Sequence, residues 1–200
     1  MDRTPRKVCF VTIGATAPFD ALLSKVLDQP FLEALSNNQY TKLLIQYGKE
    51  GRVIFDNYTA KFPPGKPERY GLDIQGFDFK KDGLLPEMRS TKSDDKLDAV
   101  EGMILSHAGS GSIMEALRLG VPLVVVPNPD LHDNHQEELA REIEKNGWAV
   151  TGRLDSLADS VRKAEVLRTV SRQWPPVNSG ESKRQKGLAS VMADEMGFVD

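Results

Sequence analysis

The stretch Gly102-Met103-Ile104-Leu105-Ser106-His107-Ala108-Gly109-Ser110-Gly111-Ser112-Ile113-Met114-Glu115-Ala116 decides how this chain is read. Its apolar start, Gly102 to Ser106, reads as a strand ending in a glycine loop, and amphipathic spacing predicts a helix from about Ser112 to Leu119. Pro122-Leu123-Val124-Val125-Val126 follows as a strand with apolar residues on both faces. A strand, a helix and a second strand in close succession describe a crossover unit, in which the helix carries the chain back so that both strands run parallel.

Working outward, the alternation repeats. Lys7 to Ile13 reads as a strand, followed by a helix to about Asn37, then strands at Leu43-Leu44-Ile45 and Gly71 to Gln75. Downstream, a helix is predicted near His132 to Lys145 and a short strand at Trp148 to Thr151. Strands apolar on both faces and separated by helices specify an α/β fold, a Rossmann-like doubly wound parallel sheet. In such sheets ligands bind beyond the carboxyl ends of the strands, so the loops there come first as candidates. Two polar stretches interrupt the rhythm: Lys61-Phe62-Pro63-Pro64-Gly65-Lys66-Pro67 is expected as an exposed connection, and Ser90 to Lys96 as a surface insertion with no packing potential. The 200 residues divide into a binding domain at 1–172 and an appendage at 173–200. The appendage opens with Trp174-Pro175-Pro176 and continues as a helix near Lys183 to Met196. Leu188, Val191, Met192 and Met196 form one face of that helix, spaced for burial on its own domain or on a partner.

Composition excludes several functions. Twenty-six Lys and Arg against 29 Asp and Glu give a net charge of −3, too little basic surface to neutralise a phosphate backbone, so no nucleic acid is expected as partner. Apolar residues make up 40%, enough for a core, yet no segment offers the ~20 apolar residues of a spanning helix. The polar start followed by a short apolar stretch does not read as a secretory signal. The one cysteine, Cys9, lies within an apolar run and is expected as a small buried hydrophobe in a reducing compartment.

The glycine loop suits a phosphate. Gly109 and Gly111 let the backbone approach a ligand, Ser110 and Ser112 carry hydroxyl donors, and a helix N-terminus points unpaired N–H groups at an anion. It is not a Walker loop, since no Gly-Lys-Ser/Thr follows, and Met114 stands where a dinucleotide fingerprint needs its third glycine. Ser112-Ile113-Met114-Glu115 also matches a capping box, a purely structural reading of Ser112 and Glu115. A cap alone requires neither the two glycines nor His107 and Ser110, whereas a phosphate site uses them all, with Glu115 left to accept ribose hydroxyls. A second polar segment follows the strand at Val126 and contains Asn128, Asn134, His135 and Gln136, side chains suited to sugar hydroxyls or to an ordinary helix entry. His132, Asp133 and His135 do not make a familiar zinc spacing, so neither metal nor cofactor is expected. The first loop, Thr12-Ile13-Gly14-Ala15-Thr16-Ala17-Pro18, ends another strand, and Gly14 there could touch a second phosphate or a facing domain. Asp20, Glu33 and Asp56 form no paired acid and base.

Four segments together resemble a known family: Val11 to Thr16, Ile104 to Ser112, Val125 to Asn128 and Asp133 to Ala140, covering about residues 7–152. They are similar to the UDP-binding subunit of the two-component N-acetylglucosaminyltransferase of dolichol-linked oligosaccharide assembly, within glycosyltransferase family 28. The segment around His107 to Glu115 is shared more widely by two-domain GT-B enzymes. The resemblance implies a fold equivalent to the C-terminal half of a GT-B enzyme, with Gly109 to Ser112 cradling the diphosphate, Glu115 on ribose, and Gln136 with its neighbours on N-acetylglucosamine. It implies transfer from UDP-N-acetylglucosamine to a dolichol-linked acceptor, with inversion to a β1,4 product. A membrane-anchored acceptor-binding subunit would complete a heterodimer at the cytosolic face of the endoplasmic reticulum. No catalytic base is identifiable in the chain; the partner is expected to supply it, with His107 as second choice. Two other readings are a nucleotide-sugar epimerase, which needs both domains and its acid–base groups on one chain, and a noncatalytic UDP-sugar-binding regulator.

Overall fold

The computed structural model describes residues 4–14, 18–131 and 135–173. Among these, the strands are β1 (Arg6–Thr12), β2 (Lys42–Gln46), β3 (Asp73–Phe77), β4 (Ala99–His107), β5 (Leu123–Val126) and β6 (Val150–Thr151). All pair in parallel in the order β3-β2-β1-β4-β5-β6, with Thr12 opposite Gln46 on one side and Ser106 on the other. The sheet is the doubly wound one expected. Chain order reverses between β1 and β4, so a crevice is placed outside their carboxyl ends, where Gly14 and Gly109 follow.

The helices are α1 (Asp20–Val26), α2 (Gln29–Asn37), α3 (Arg52–Lys61), α4 (Leu85–Arg89), α5 (Ser110–Leu119), α6 (His135–Lys145) and α7 (Leu157–Gln173). Successive strand residues point to opposite faces, so each strand feeds two cores. Cys9, Val11, Met103, Leu105 and Val124 meet α1, α2, α3 and α7, while Phe10, Ile104, Leu123 and Val125 meet α4, α5 and α6. All four β5 side chains are buried, each stabilising the fold by roughly 1.5–3 kcal/mol. Cys9 is fully buried, and its burial pushes the thiol pKa up, which leaves it an unreactive hydrophobe.

Several elements depart from the sequence reading. The single helix expected up to Asn37 is two, because Asp28 is extended (ψ 147°) and Pro30 starts a new first turn. A continuous helix would need an N–H on Pro30 to reach the Val26 carbonyl, and proline has none. Helices α3 and α7 were not anticipated. Only Phe55 of α3 is buried, so its apolar stripe is faint. In α7, Leu157, Val161, Ala164 and Arg168 form a buried stripe in which the last position is a cation. The strand expected at Gly71 to Gln75 begins only at Asp73, since Tyr70 and Gly71 both have positive φ in the preceding turn. Trp148 closes the end of α6 through its N–H to the Ile143 carbonyl, so β6 is limited to Val150–Thr151.

The segment Ser90 to Lys96 is not a free surface insertion. Thr91 is fully buried, its Oγ1 donates to the Met88 carbonyl (2.6 Å), and its own carbonyl accepts from the Gly102 N–H (2.7 Å). That last bond belongs to a bulge: Lys7 pairs with Val100 but Cys9 with Met103, so β4 carries one extra residue there. The bulge turns the Gly102 N–H toward Thr91 and its carbonyl toward Arg168 Nη2 (2.7 Å). Arg168 also bonds Glu101 (3.1 Å) and Glu165, and Tyr40 donates to Glu165 (2.7 Å). This partly buried network fastens α7 to the amino ends of the strands. Of the appendage expected at 173–200, residues 174–200, with the expected helix, lie outside the described residues.

Candidate functional site

The site begins where β1 ends. Thr12 Oγ1 donates to Gln46 Oε1 at 2.6 Å, and the Gln46 amide donates to the carbonyls of Gly14 (3.0 Å) and Asp78 (3.1 Å). Thr12 and Gln46 are both buried, so their polar atoms must be paired, and here they pair by tying the β1, β2 and β3 loops together. Gly14 has φ +88°, a left-handed turn that favours glycine. Beside it a cleft of about 290 Å³ is lined by Ile13, Gly14, Pro18, Gln46, Tyr47 and Phe79, among others. The sequence reading missed Gln46 and this wall. The available signal was Gly48 and Gly51 just after an apolar strand.

Across the switch point, α5 starts two residues earlier than expected. Gly109 is its N-cap, in extended conformation (φ −83°, ψ 123°), and no side chain caps the helix. Ser112 is therefore inside the first turn, and the capping-box reading of Ser112 and Glu115 fails. The first helical backbone bond runs from Ile113 N–H to the Gly109 carbonyl (3.1 Å). The N–H groups of Ser110, Gly111 and Ser112 have no acceptor among the described residues, and a Cβ on Gly111 would meet open space. Three unpaired donors at the positive end of a helix dipole have the chemistry to receive an anion. Glu115 is half-exposed on the next turn and has no hydrogen-bond or ionic partner among the described residues.

His107, at the end of β4, packs its imidazole against Gly14 and Gly109. A Cβ on Gly109 would stand 2.2 Å from Nε2, and one on Gly14 2.6 Å. Gly109 is thus small to admit His107, a different reason from the ligand approach expected of it. Burial holds the imidazole pKa below its ordinary value of 6.5, against a weaker upward pull from a hydrogen bond with the Thr12 backbone. Stability from the neutral ring is present above that ordinary value and is lost as pH falls through the lower folded value. We expect His107→Phe to flatten the Tm–pH curve below 6.5 relative to the parent; an unchanged slope would show the ring to be solvated.

The β5–α6 loop is braced by its own amides. Gln136 Oε1 accepts from the Asn128 N–H (2.9 Å); Asn128 Oδ1 accepts from the Asp130 N–H (3.1 Å), and Asn128 Nδ2 donates to the Pro18 carbonyl (3.3 Å). Asn128 thus links this loop to the start of α1, and Gln136 keeps its Nε2 for another acceptor. His135 is exposed at the first position of α6. Asn134, His132 and Asp133 lie outside the described residues. Among those described, no three His, Cys, Asp or Glu side chains group as metal ligands.

Comparisons with known proteins converge. The model of the glycosyltransferase family 28 C-terminal domain matches residues 8–172. The UDP-N-acetylglucosamine transferase subunit ALG13 of Eremothecium gossypii is 32% identical over 197 residues, covering 94% of this chain and 92% of that protein. Its namesake in Saccharomyces cerevisiae is 32% identical over 169 residues, covering 71% and 75%. An NMR structure of ALG13 superposes with a TM-score of 0.60 at 27% identity, over 81% of this chain and 87% of that one. Acinetobacter baumannii MurG shares the fold, with a TM-score of 0.53 at 20% identity, over 85% of this chain and 41% of that one. With the family model spanning nearly all described residues and relatives above 30% identity along their length, this chain belongs to the glycosyltransferase family 28 C-terminal domain family.

Proposed function

We propose that the chain is the donor-binding subunit of an inverting glycosyltransferase that moves N-acetylglucosamine from UDP-N-acetylglucosamine to a dolichol-linked N-acetylglucosamine diphosphate. The observation that carries this is the uncapped N-terminus of α5 at the switch point, with Glu115 one turn further on and without a partner among the described residues. The N–H groups of Ser110, Gly111 and Ser112 receive the diphosphate, and Glu115 accepts the ribose hydroxyls. Gln136, with His135 and Asn134, reads the sugar, and Asn128 sets the loop that presents them. The names of the relatives, each a subunit of a UDP-N-acetylglucosamine transferase, support this donor and an assembly with another chain.

In the reaction, the acceptor hydroxyl attacks the anomeric carbon from the side opposite the diphosphate. The carbon–oxygen bond to UDP breaks, the configuration inverts, and the hydroxyl proton passes to a base on the partner. Charge accumulates on the departing diphosphate, where donors already fixed by α5 need no reorganisation; losing one such donor costs about 3 kcal/mol in other enzymes. The partner is a membrane-anchored subunit that binds the acceptor. That subunit attaches the chain to the cytosolic face of the endoplasmic reticulum; among the described residues no helix is long and apolar enough to cross a membrane.

The test is reconstitution. With UDP-N-acetylglucosamine and the dolichol-linked acceptor, a disaccharide lipid should form only when both this chain and the membrane subunit are present. No product from the complete mixture would remove the proposal.

A further inference from the structure

We propose that the amino edge of the sheet is the seat of this chain's own segment 183–196, whose basic start pairs with the turn before β4 and whose apolar stripe covers side chains left bare on β4 and α7. Six large apolar side chains are exposed among the described residues, and four of them, Leu97, Val100, Val166 and Val170, gather at this edge. The others, Val53 and Phe79, belong to the carboxyl edge, on α3 and in the loop after β3. Leu97 stands in the turn that opens β4, which is closed by hydrogen bonds between Asp94 and Ala99 (2.9 and 3.0 Å), and Val100 follows in the strand. Val166 and Val170 are one turn apart on α7. Between them in sequence, Arg168 bonds Glu101 (3.1 Å) and the Gly102 carbonyl (2.7 Å), so this end of the helix lies against the start of β4.

The occupant follows from position, charge and apolar pattern. Helix α7 ends at Gln173, so the chain departs at that same edge. Residues 174–182 can span about 30 Å and a helix over 183–196 is about 21 Å long, enough to fold back over the start of β4 and the outer side of α7. The turn carries Asp94, Asp95 and Asp98 against a single Lys96, all exposed, and the segment opens with Lys183, Arg184 and Lys186. Its far end carries Asp194 and Glu195, which meet the opposite sign in Lys163, exposed one turn before Val166. Between those charged ends, Leu188, Val191, Met192 and Met196 supply the apolar stripe that would cover the four bare side chains. So short a tether holds the segment at an effective concentration of roughly millimolar order, so a weak contact suffices. The donor site lies at the opposite edge and stays open.

The test is zero-length carbodiimide cross-linking of the full chain, mixed in equal parts with chain labelled in heavy nitrogen and read by mass spectrometry. Amide bonds should join Asp94, Asp95 or Asp98 to Lys183 or Lys186, with both halves of each cross-linked peptide carrying the same label. Combining Leu97→Asp with Val170→Asp should lower that yield about tenfold, since each removes an apolar contact from the seat. Both side chains are exposed, so the melting curve should stay in place. Cross-links of mixed label would assign the face to a second copy and overturn the proposal, as would a yield that the two aspartates leave unchanged. Absence of the cross-link in the chain alone overturns it too, and its appearance only between this segment and the membrane subunit would give the segment to that partner instead.

Discussion

Glu115→Ala is expected to lower UDP affinity about 100-fold while leaving Tm nearly unchanged. A carboxylate accepting two ribose hydroxyls makes charged hydrogen bonds worth about 1.5–3 kcal/mol each, and losing their combined contribution, discounted for exposure, leaves about 3 kcal/mol, or two decades in Kd. The fold has little stake in this side chain, which is half-exposed and has no partner among the described residues. Substitutions at such positions usually stay within ~0.5 kcal/mol of the parent. The structure sharpens this contrast. Were Ser112 the cap, Glu115 would reach back to its N–H and alanine would cost stability; with Gly109 as cap, that role does not exist. Calorimetry paired with a melting curve separates the two, and an unchanged Kd with a lowered Tm would restore the structural reading.

Gly102→Ala should be the most damaging single methyl in the described chain, destabilising it by about 3 kcal/mol or more. A Cβ at Gly102 would stand 1.8 Å from the Val8 carbonyl oxygen in the neighbouring strand, a backbone atom that cannot swing aside. Relief requires opening the β1–β4 pair at its bulge, and the bulge also directs Gly102 to Thr91 and Arg168. The damage would therefore spread to the Thr91 turn and to the anchorage of α7. Urea unfolding should show a much lower midpoint; a midpoint within experimental scatter of the parent would mean that the two strands are not so closely paired.

Much of this architecture was legible because it repeats a simple physical requirement. A strand covered on both faces must be apolar at every position, and Val8 to Val11 and Leu123 to Val126 meet that condition without help from context. The glycine loop was legible for the same kind of reason: Gly-x-Gly at a strand end before a helix has few other uses. Helix α7 was harder, since Arg168 occupies the inward position where the pattern asks for an apolar residue. Only the carboxylates of Glu101 and Glu165 and the Gly102 carbonyl, brought from other elements, make a cation tolerable there.

The order of apolar runs and punctuating glycines was enough to determine the parallel sheet, the placing of loops at its carboxyl edge and the glycine-rich helix entry after His107. These depend on local periodicity and chain direction, which a linear text carries. Which atom caps α5, why Gly109 must be small and how Gln46 ties three loops together were decided only in three dimensions. Each depends on atoms from strands β1, β2 and β4 meeting at distances under about 3.5 Å, the range at which hydrogen bonds and steric exclusion act. No spacing along the sequence encodes that meeting.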